Sequence, residues 1–243
     1  MSIQTQYVDG QYQLKNPTFH VEDSPWKAAQ VMRMISKHNL QPHHIAEVGC
    51  GAGEILVQLS QQVTGASYFG YELSPQGYEL CKSRTQNNIT YFNTDLFENP
   101  GTTYDLVLSM DVFEHVEDYF TFLRRLATCG KAFIFHIPLD MNVQMVFRSN
   151  PILHVRDVVG HLHYFSKDTA LATLHDCGYR VVDWFYTPNG ADRPRSTKAK
   201  ILKLPRKILF GLHQDLAARI LGGYSLLVYA LPDTNGAAAQ ASR

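Results

Sequence analysis

The stretch Ile45-Ala46-Glu47-Val48-Gly49-Cys50-Gly51-Ala52-Gly53-Glu54-Ile55-Leu56 decides how the rest of the chain is read. A short apolar run ends in an acidic residue, three glycines follow at alternate positions, and apolar residues then recur at helical spacing. That order predicts a buried strand, a tight turn and a helix start. Glycine in such a turn lets the backbone take positive φ and lets a ligand approach with no Cβ in its way. The dinucleotide-binding fingerprint needs a glycine or alanine where this chain has Glu54, which argues against NAD and FAD.

Outward from this turn, strands and helices alternate. Toward the N-terminus, Ser24 as cap and Pro25 at the first helical position open a predicted helix reaching about His38. Its apolar positions Trp26, Ala29, Val31, Met32 and Ile35 form the expected sheet-facing side. Toward the C-terminus, strands are expected at residues 45–48, 68–71, 89–92, 104–109 and 131–137. Helices are expected at 54–62, from Ser74-Pro75 to about Thr85, and at 116–127. Such alternation implies parallel βαβ units and a doubly wound α/β sheet. Residues 139–162 break the rhythm and read as an irregular segment. Ser166 then caps a helix to about Cys177, and strands follow at 180–186 and 224–231. Residues 187–195 read as a loop, residues 196–221 as a basic amphipathic segment interrupted at Pro205, and residues 232–243 as a disordered tail.

Composition narrows the function. The 243 residues are 45% hydrophobic and 18% charged, enough apolar surface for one globular domain. Lys+Arg and Asp+Glu both number 22, so the formal net charge is zero, unlike the basic surface of a nucleic-acid binder. The four cysteines are scattered with no C-x-x-C, which fits reduced thiols in a cytoplasmic protein. The polar first residues do not form a signal peptide, and no apolar run is long enough to span a membrane.

In doubly wound sheets, ligands sit beyond the carboxyl ends of the strands near the switch point. Glu47 and Gly49 end the first predicted strand, Glu72 the second, Asp95 the third, and Ser109, Met110 and Asp111 the fourth. A carboxylate after strand two, about 20 residues beyond the glycines, suits hydrogen bonds to ribose hydroxyls. With these residues in register, the family resemblance is specific. Glu47-Val48-Gly49-Cys50-Gly51-Ala52-Gly53 resembles motif I of the class I S-adenosylmethionine (SAM)-dependent methyltransferases. Tyr71-Glu72 is similar to their ribose-binding acidic position, and Asn93-Thr94-Asp95-Leu96 to their adenine-binding motif. The run from Tyr104 to Val116 resembles motif IV and its following loop, and the likeness extends over about residues 40–190.

The resemblance implies a Rossmann-like, seven-stranded, mostly parallel sheet with helices on both faces and an antiparallel last strand. It implies SAM as cofactor, with Gly49 and Gly51 flanking the methionine moiety and Glu72 on the ribose. Asp95 and Leu96 would address adenine, and Met110 would pack near the adenine or sulfonium end. Glu47, Cys50, Gly53 and Leu73 complete the expected cofactor-binding set. The implied layout of this single domain is a lid over residues 1–40, a SAM-binding core over 41–138 and an acceptor cap over 139–162. The C-terminal part of the sheet, 163–231, carries the basic insertion.

SAM is itself a reactive donor, so such a protein mainly orients reactants in a dry pocket; a base helps where the acceptor is a hydroxyl. His115, just after the fourth strand, and His163 are the candidate catalytic residues. His136, inside a strand, reads as a core residue. His161-x-His163 lacks a third ligand at a telling spacing, so no metal is expected. The Asn/Asp-Pro-Pro-Tyr/Phe motif of amino-methylating DNA and protein enzymes is absent, and Ser109-Met110-Asp111-Val112 stands in its place. The expected acceptor is therefore an O or N atom of a small metabolite, sugar or lipid-like molecule, and not nucleic acid. In residues 197–221, Lys198, Lys200, Lys203, Arg206 and Lys207 interleave with Ile201, Leu202, Leu204, Ile208, Leu209 and Phe210. That pattern fits a helix packed on the domain or on a second copy in a homodimer, or a helix lying on an anionic membrane. The alternative function is a SAM-binding sensor or partner subunit without catalysis.

Overall fold

The computed structural model describes residues 9–98, 101–148, 150–188 and 197–233. The predicted tail beyond residue 233 and most of the loop before residue 196 lie outside these residues. Seven strands are present: β1 His44–Val48, β2 Ser67–Tyr71, β3 Ile89–Phe92, β4 Leu106–Met110, β5 Phe133–Pro138, β6 Tyr179–Thr187 and β7 Ser225–Pro232. They form one sheet in the order β3-β2-β1-β4-β5-β7-β6. The β1–β5 pairings are parallel, whereas β7 runs antiparallel to both β5 and β6. Strand order reverses between β1 and β4, which opens the crevice where such sheets bind ligands. Val48 pairs with Tyr71 on one side and Ser109 on the other, so the strand ends arrive at one edge together.

Residues alternate between two cores along the central strands β1, β4 and β5, as a period of two requires when both faces are covered. Ala46, Val48, Val107, Phe133 and Phe135 face one core. Ile45, Leu106, Leu108 and Ile134 face the other. The second core is closed by α2 (Ser24–Lys37) and α3 (Glu54–Ser60), through Val31, Met34, Leu56 and Leu59. Each such fully buried aliphatic side chain stabilises by roughly 1.5–3 kcal/mol. The buried side of α2 is Ala28, Val31, Met34 and Ile35; Ala29, expected to face the sheet, is exposed.

Local signals set the remaining boundaries. The Ser74 hydroxyl accepts a hydrogen bond from the Gly77 N–H and caps α4 (Pro75–Lys82). Ser166 and Thr169 form a reciprocal capping box at α8 (Lys167–Asp176). The helix expected from residue 116 starts later, as α5 (Tyr119–Leu126), because Asp118 accepts from the Thr121 N–H and fixes the cap there. Before α2, a short helix α1 (Gln11–Lys15) precedes a 3-10 turn at Val21–Asp23.

Two expectations are corrected. Residues 139–162 hold two helices, α6 (Val143–Arg148) and α7 (Asn150–Val158). Asn142 Oδ1 accepts from the Met145 N–H at the start of α6, and Pro151 sits in the first turn of α7, where its missing N–H costs nothing. Pro205 does not interrupt the basic segment: α9 (Thr197–Leu212) runs through it. The lost backbone bond is offset next door, where the Arg206 guanidinium donates to the Leu221 carbonyl at 3.0 and 3.3 Å and Tyr224 donates to the Arg206 carbonyl. A helical turn Gln214–Leu216 and a π-turn Ala217–Leu221 then lead into β7.

Candidate active site

The glycine turn is shaped by its sequence. Gly51 has φ 56° and its N–H donates to Glu72 Oε2 at 2.7 Å. Gly53 has φ 77° and opens α3; a Cβ there would lie 2.6 Å from the Tyr91 ring, whose hydroxyl donates to the Gly53 carbonyl. Only glycine meets both conditions at these positions. Glu72 is thus clamped at the end of β2, since its Oε1 also accepts from the Ser74 N–H at 2.8 Å. Burial pushes its pKa up to about 7, against the pull of the Ser74, Gly51 and Leu73 amides. Glu47, at the end of β1, is buried, and its Oε2 has no hydrogen-bond partner among the described residues. Burial raises it to about 8, with Lys27 opposing.

These carboxylates border a cavity of about 690 Å³ over the strand ends, within the size range of small-molecule sites. Gly49, Cys50, Gly51, Leu73, Asp95, Leu96, Met110 and His115 line it beside Glu47 and Glu72. Asp95 Oδ1 accepts from the Phe97 N–H and so holds the turn that brings Leu96 to the wall. Gly53 and His163 do not line the cavity. Gly53 supports the turn through Tyr91. The His163 Nε2–H donates to the Val116 carbonyl at 3.0 Å, and its ring lies 4.4 Å from that of Tyr119.

Around the cavity, Asp111 and His115 meet partners from distant segments that the sequence does not reveal. Asp111 adopts a left-handed backbone, φ 61°, which aims its carboxylate between Lys27 (2.7 Å) and His136 Nδ1 (2.5 Å). Burial alone would raise its pKa, but the His136 and Lys27 charges hold the carboxyl well below the usual range. His136 is bonded on both nitrogens, its Nε2 meeting Thr187 Oγ1 at 2.9 Å. Lys27 left a trace in the sequence: it precedes Val31 by four and Met34 by seven, on the buried side of α2.

A second cluster stands at the far wall. The His115 Nδ1–H donates to the Gly160 carbonyl at 3.1 Å, and burial with the nearby His161 lowers its pKa to about 3. The His161 Nδ1–H donates to Asp140 Oδ2 at 2.6 Å. Burial pulls His161 down, but the Asp140 bond and the Glu114 charge outweigh it and raise its pKa. Glu114 is fully buried, neither of its carboxylate oxygens has a hydrogen-bond partner on another residue, and burial pushes it up to about 8. His161 therefore meets His115 and Glu114, not His163.

A family model described as a methyltransferase domain matches residues 25–183. The ubiquinone biosynthesis O-methyltransferase of Bradyrhizobium diazoefficiens is 34% identical over 91 residues, covering 36% of this chain and 35% of that protein. Pavine N-methyltransferase of Thalictrum flavum is 25% identical over 150 residues, 52% of this chain and 41% of that protein. The matches span between 35% and 50% of the length of the curated relatives. Among solved structures, magnesium protoporphyrin IX methyltransferase of Synechocystis with bound SAH shares the fold with a TM-score of 0.58 at 17% identity, over 86% of this chain and 83% of that one. With the model matching most of its length, the chain belongs to the methyltransferase-domain family.

Proposed function

We propose that the chain transfers a methyl group from SAM to an O or N atom of a small-molecule acceptor. The observation that carries this reading is the Glu72 carboxylate, buried at the end of β2 against the Gly51 amide on the wall of the cavity. Each of its oxygens has one backbone donor and keeps acceptor capacity for a ribose hydroxyl. Buried Glu47 Oε2, at the same end of the sheet and without a partner, fits a cationic or hydrogen-bonding group such as the methionine ammonium. Asp95 and Leu96 would flank adenine, Gly49 and Gly51 the methionine moiety, and Met110 the cavity floor. Bound SAM supplies an electrophilic methyl group; the chain supplies orientation and the exclusion of water. The names of the relatives include both an O- and an N-methyltransferase, which supports either atom.

His115 would face the acceptor with its Nε2 unprotonated at neutral pH, because Nδ1 carries the proton given to Gly160. A group so easily deprotonated is a weak base, so its role is contact with the acceptor side of the cavity and not proton abstraction. His163, held on Val116, would support the turn behind it.

Calorimetric titration tests the reading against the non-catalytic alternative and against NAD binding. SAM and S-adenosylhomocysteine should bind in the micromolar range and NAD should not. Glu72→Ala should weaken both by about 100-fold, the loss of a charged, buried hydrogen-bond pair. Binding unchanged in that variant would sink the assignment; binding without methyl transfer to any screened acceptor would favour a sensor.

Helices α6 and α7 would cap the acceptor, Val159 and His161 reaching the cavity from their C-terminal side. Their exposed Val143, Val146 and Phe147, with Leu204, Ile208 and Leu212 at four-residue spacing on α9, support contact with an anionic membrane surface. Among the described residues, no helix is long and apolar enough to cross a membrane. Four free cysteine thiols support a cytoplasmic setting.

A further inference from the structure

Three side chains at and behind the cavity wall form one cluster. Ligand atoms of Glu114, His115 and His161 all lie within 4.8 Å of one another, and His115 Nε2 is 3.9 Å from Glu114 Oε1. We propose that these residues bind a divalent transition-metal cation, of the zinc or manganese kind, on the acceptor side of the cavity.

Four observations carry this. Glu114 is fully buried with no hydrogen bond from another residue to its carboxylate, an arrangement relieved by a cation at the site. Both imidazoles are held through Nδ1, His115 on the Gly160 carbonyl and His161 on Asp140, which presents Nε2 as the metal-facing nitrogen. A carboxylate or carbonyl behind a histidine is the usual outer support of a metal ligand. The two segments are also locked together, because the Leu162 and His163 N–H groups both donate to the Glu114 carbonyl, at 2.8 and 3.1 Å. Two imidazoles and one carboxylate suit zinc, manganese or iron(II) better than calcium or magnesium. Bonds of about 2.0–2.2 Å to a tetrahedral cation put ligands about 3.3–3.6 Å apart, so modest side-chain rotation closes the set.

His115 and His161 line the cavity, so remaining coordination positions open toward it. Resting on the proposed methyl transfer, the cation would take an acceptor hydroxyl there as a Lewis acid. The bound O–H then gives its proton to water more readily, and the resulting oxyanion attacks the methyl carbon of SAM, releasing S-adenosylhomocysteine. That activation favours O-methylation of a hydroxyl acceptor.

The site is tested on the full chain, stripped with chelator and free of SAM and acceptor, so failure of the methyl-transfer reading does not touch it. Titration with Zn2+, and with Co2+ as visible probe, should show about one equivalent bound with a Kd of about 1 µM or tighter, and a Co2+ d–d band. Glu114→Gln and His161→Ala should each weaken binding by about 10- to 100-fold or more with the folded circular-dichroism spectrum kept, while His175→Ala, at an exposed position, should bind as wild type. Folded wild-type protein that takes up no Zn2+ or Co2+ would overturn the site, as would equal uptake by wild type, Glu114→Gln and His161→Ala. Should either variant misfold, the wild-type stoichiometry and the Co2+ spectrum still decide.

Discussion

Glu47, Glu72 and Glu114 share one electrostatic condition: each is a carboxyl whose burial raises its pKa above the usual carboxylate value, to about 8, 7 and 8. Between pH 5 and 8 the folded protein therefore binds more protons at these sites than the unfolded chain does. Stability of the ligand-free protein should fall as pH rises through that window. The Asp111 carboxyl moves the opposite way, so its contribution is present above its ordinary pKa and is lost only in acid. Glu47→Gln should flatten the decline by up to about 1.4 kcal/mol per pH unit, read from denaturant unfolding between pH 5.5 and 8. A variant as steep as wild type would contradict the assignment of that proton to Glu47. At this scale the sequence was informative where a residue ends a strand. Glu47, Glu72, Asp95 and Met110, read at strand ends in the sequence, all border the cavity. It was silent where partners come from distant segments: Lys27 meets Asp111, and Glu114 and His115 meet His161, only after the sheet is assembled.

The central strands β1, β4 and β5 were legible because each is buried on two faces and bounded by turn residues, so periodicity and length agreed. Helices α6 and α7 were not, because at six and nine residues they are too short for a helical period to stand out. Their apolar residues also point outward: Phe147 is 87% exposed and Leu153 58%. Pro205 read as a breaker, although Arg206 beside it is held on the Leu221 carbonyl. The outward stripe of α9 makes a prediction at this scale. Leu204→Ser/Ile208→Ser/Leu212→Ser should reduce co-sedimentation with phosphatidylserine-containing vesicles by about 10-fold or more, since each buried aliphatic is worth ~1.5 kcal/mol. Unchanged vesicle binding would remove the membrane assignment. A wild-type dimer that becomes a monomer in the variant, measured by light scattering, would give the stripe to a second copy instead.

Across the whole molecule, the two cores meet at the sheet and the cavity opens where both end, so a ligand there braces both layers. S-adenosylhomocysteine at a hundredfold its Kd should stabilise the fold by about 2.7 kcal/mol. For a chain of this size that corresponds to a rise in Tm of about 5–10 °C, measured by scanning calorimetry. No rise, with the protein folded and the ligand in excess, would mean that the cavity does not take the nucleoside. The glycines and carboxylates that the sequence places at strand ends border one cavity at that edge of the sheet.

The placing of β7 also bears on how the chain is made. β5 and β6 flank β7 without pairing with each other. On the ribosome, β1 through β5 can assemble as they emerge, but β6 has no strand to join until residues 225–232 have been synthesised and exposed. For that interval the outer edge of β5 stays open, a template for pairing with the wrong chain. β7 is made after both of its neighbours and inserts between them, so the slow, long-range step of folding waits for residues 225–232.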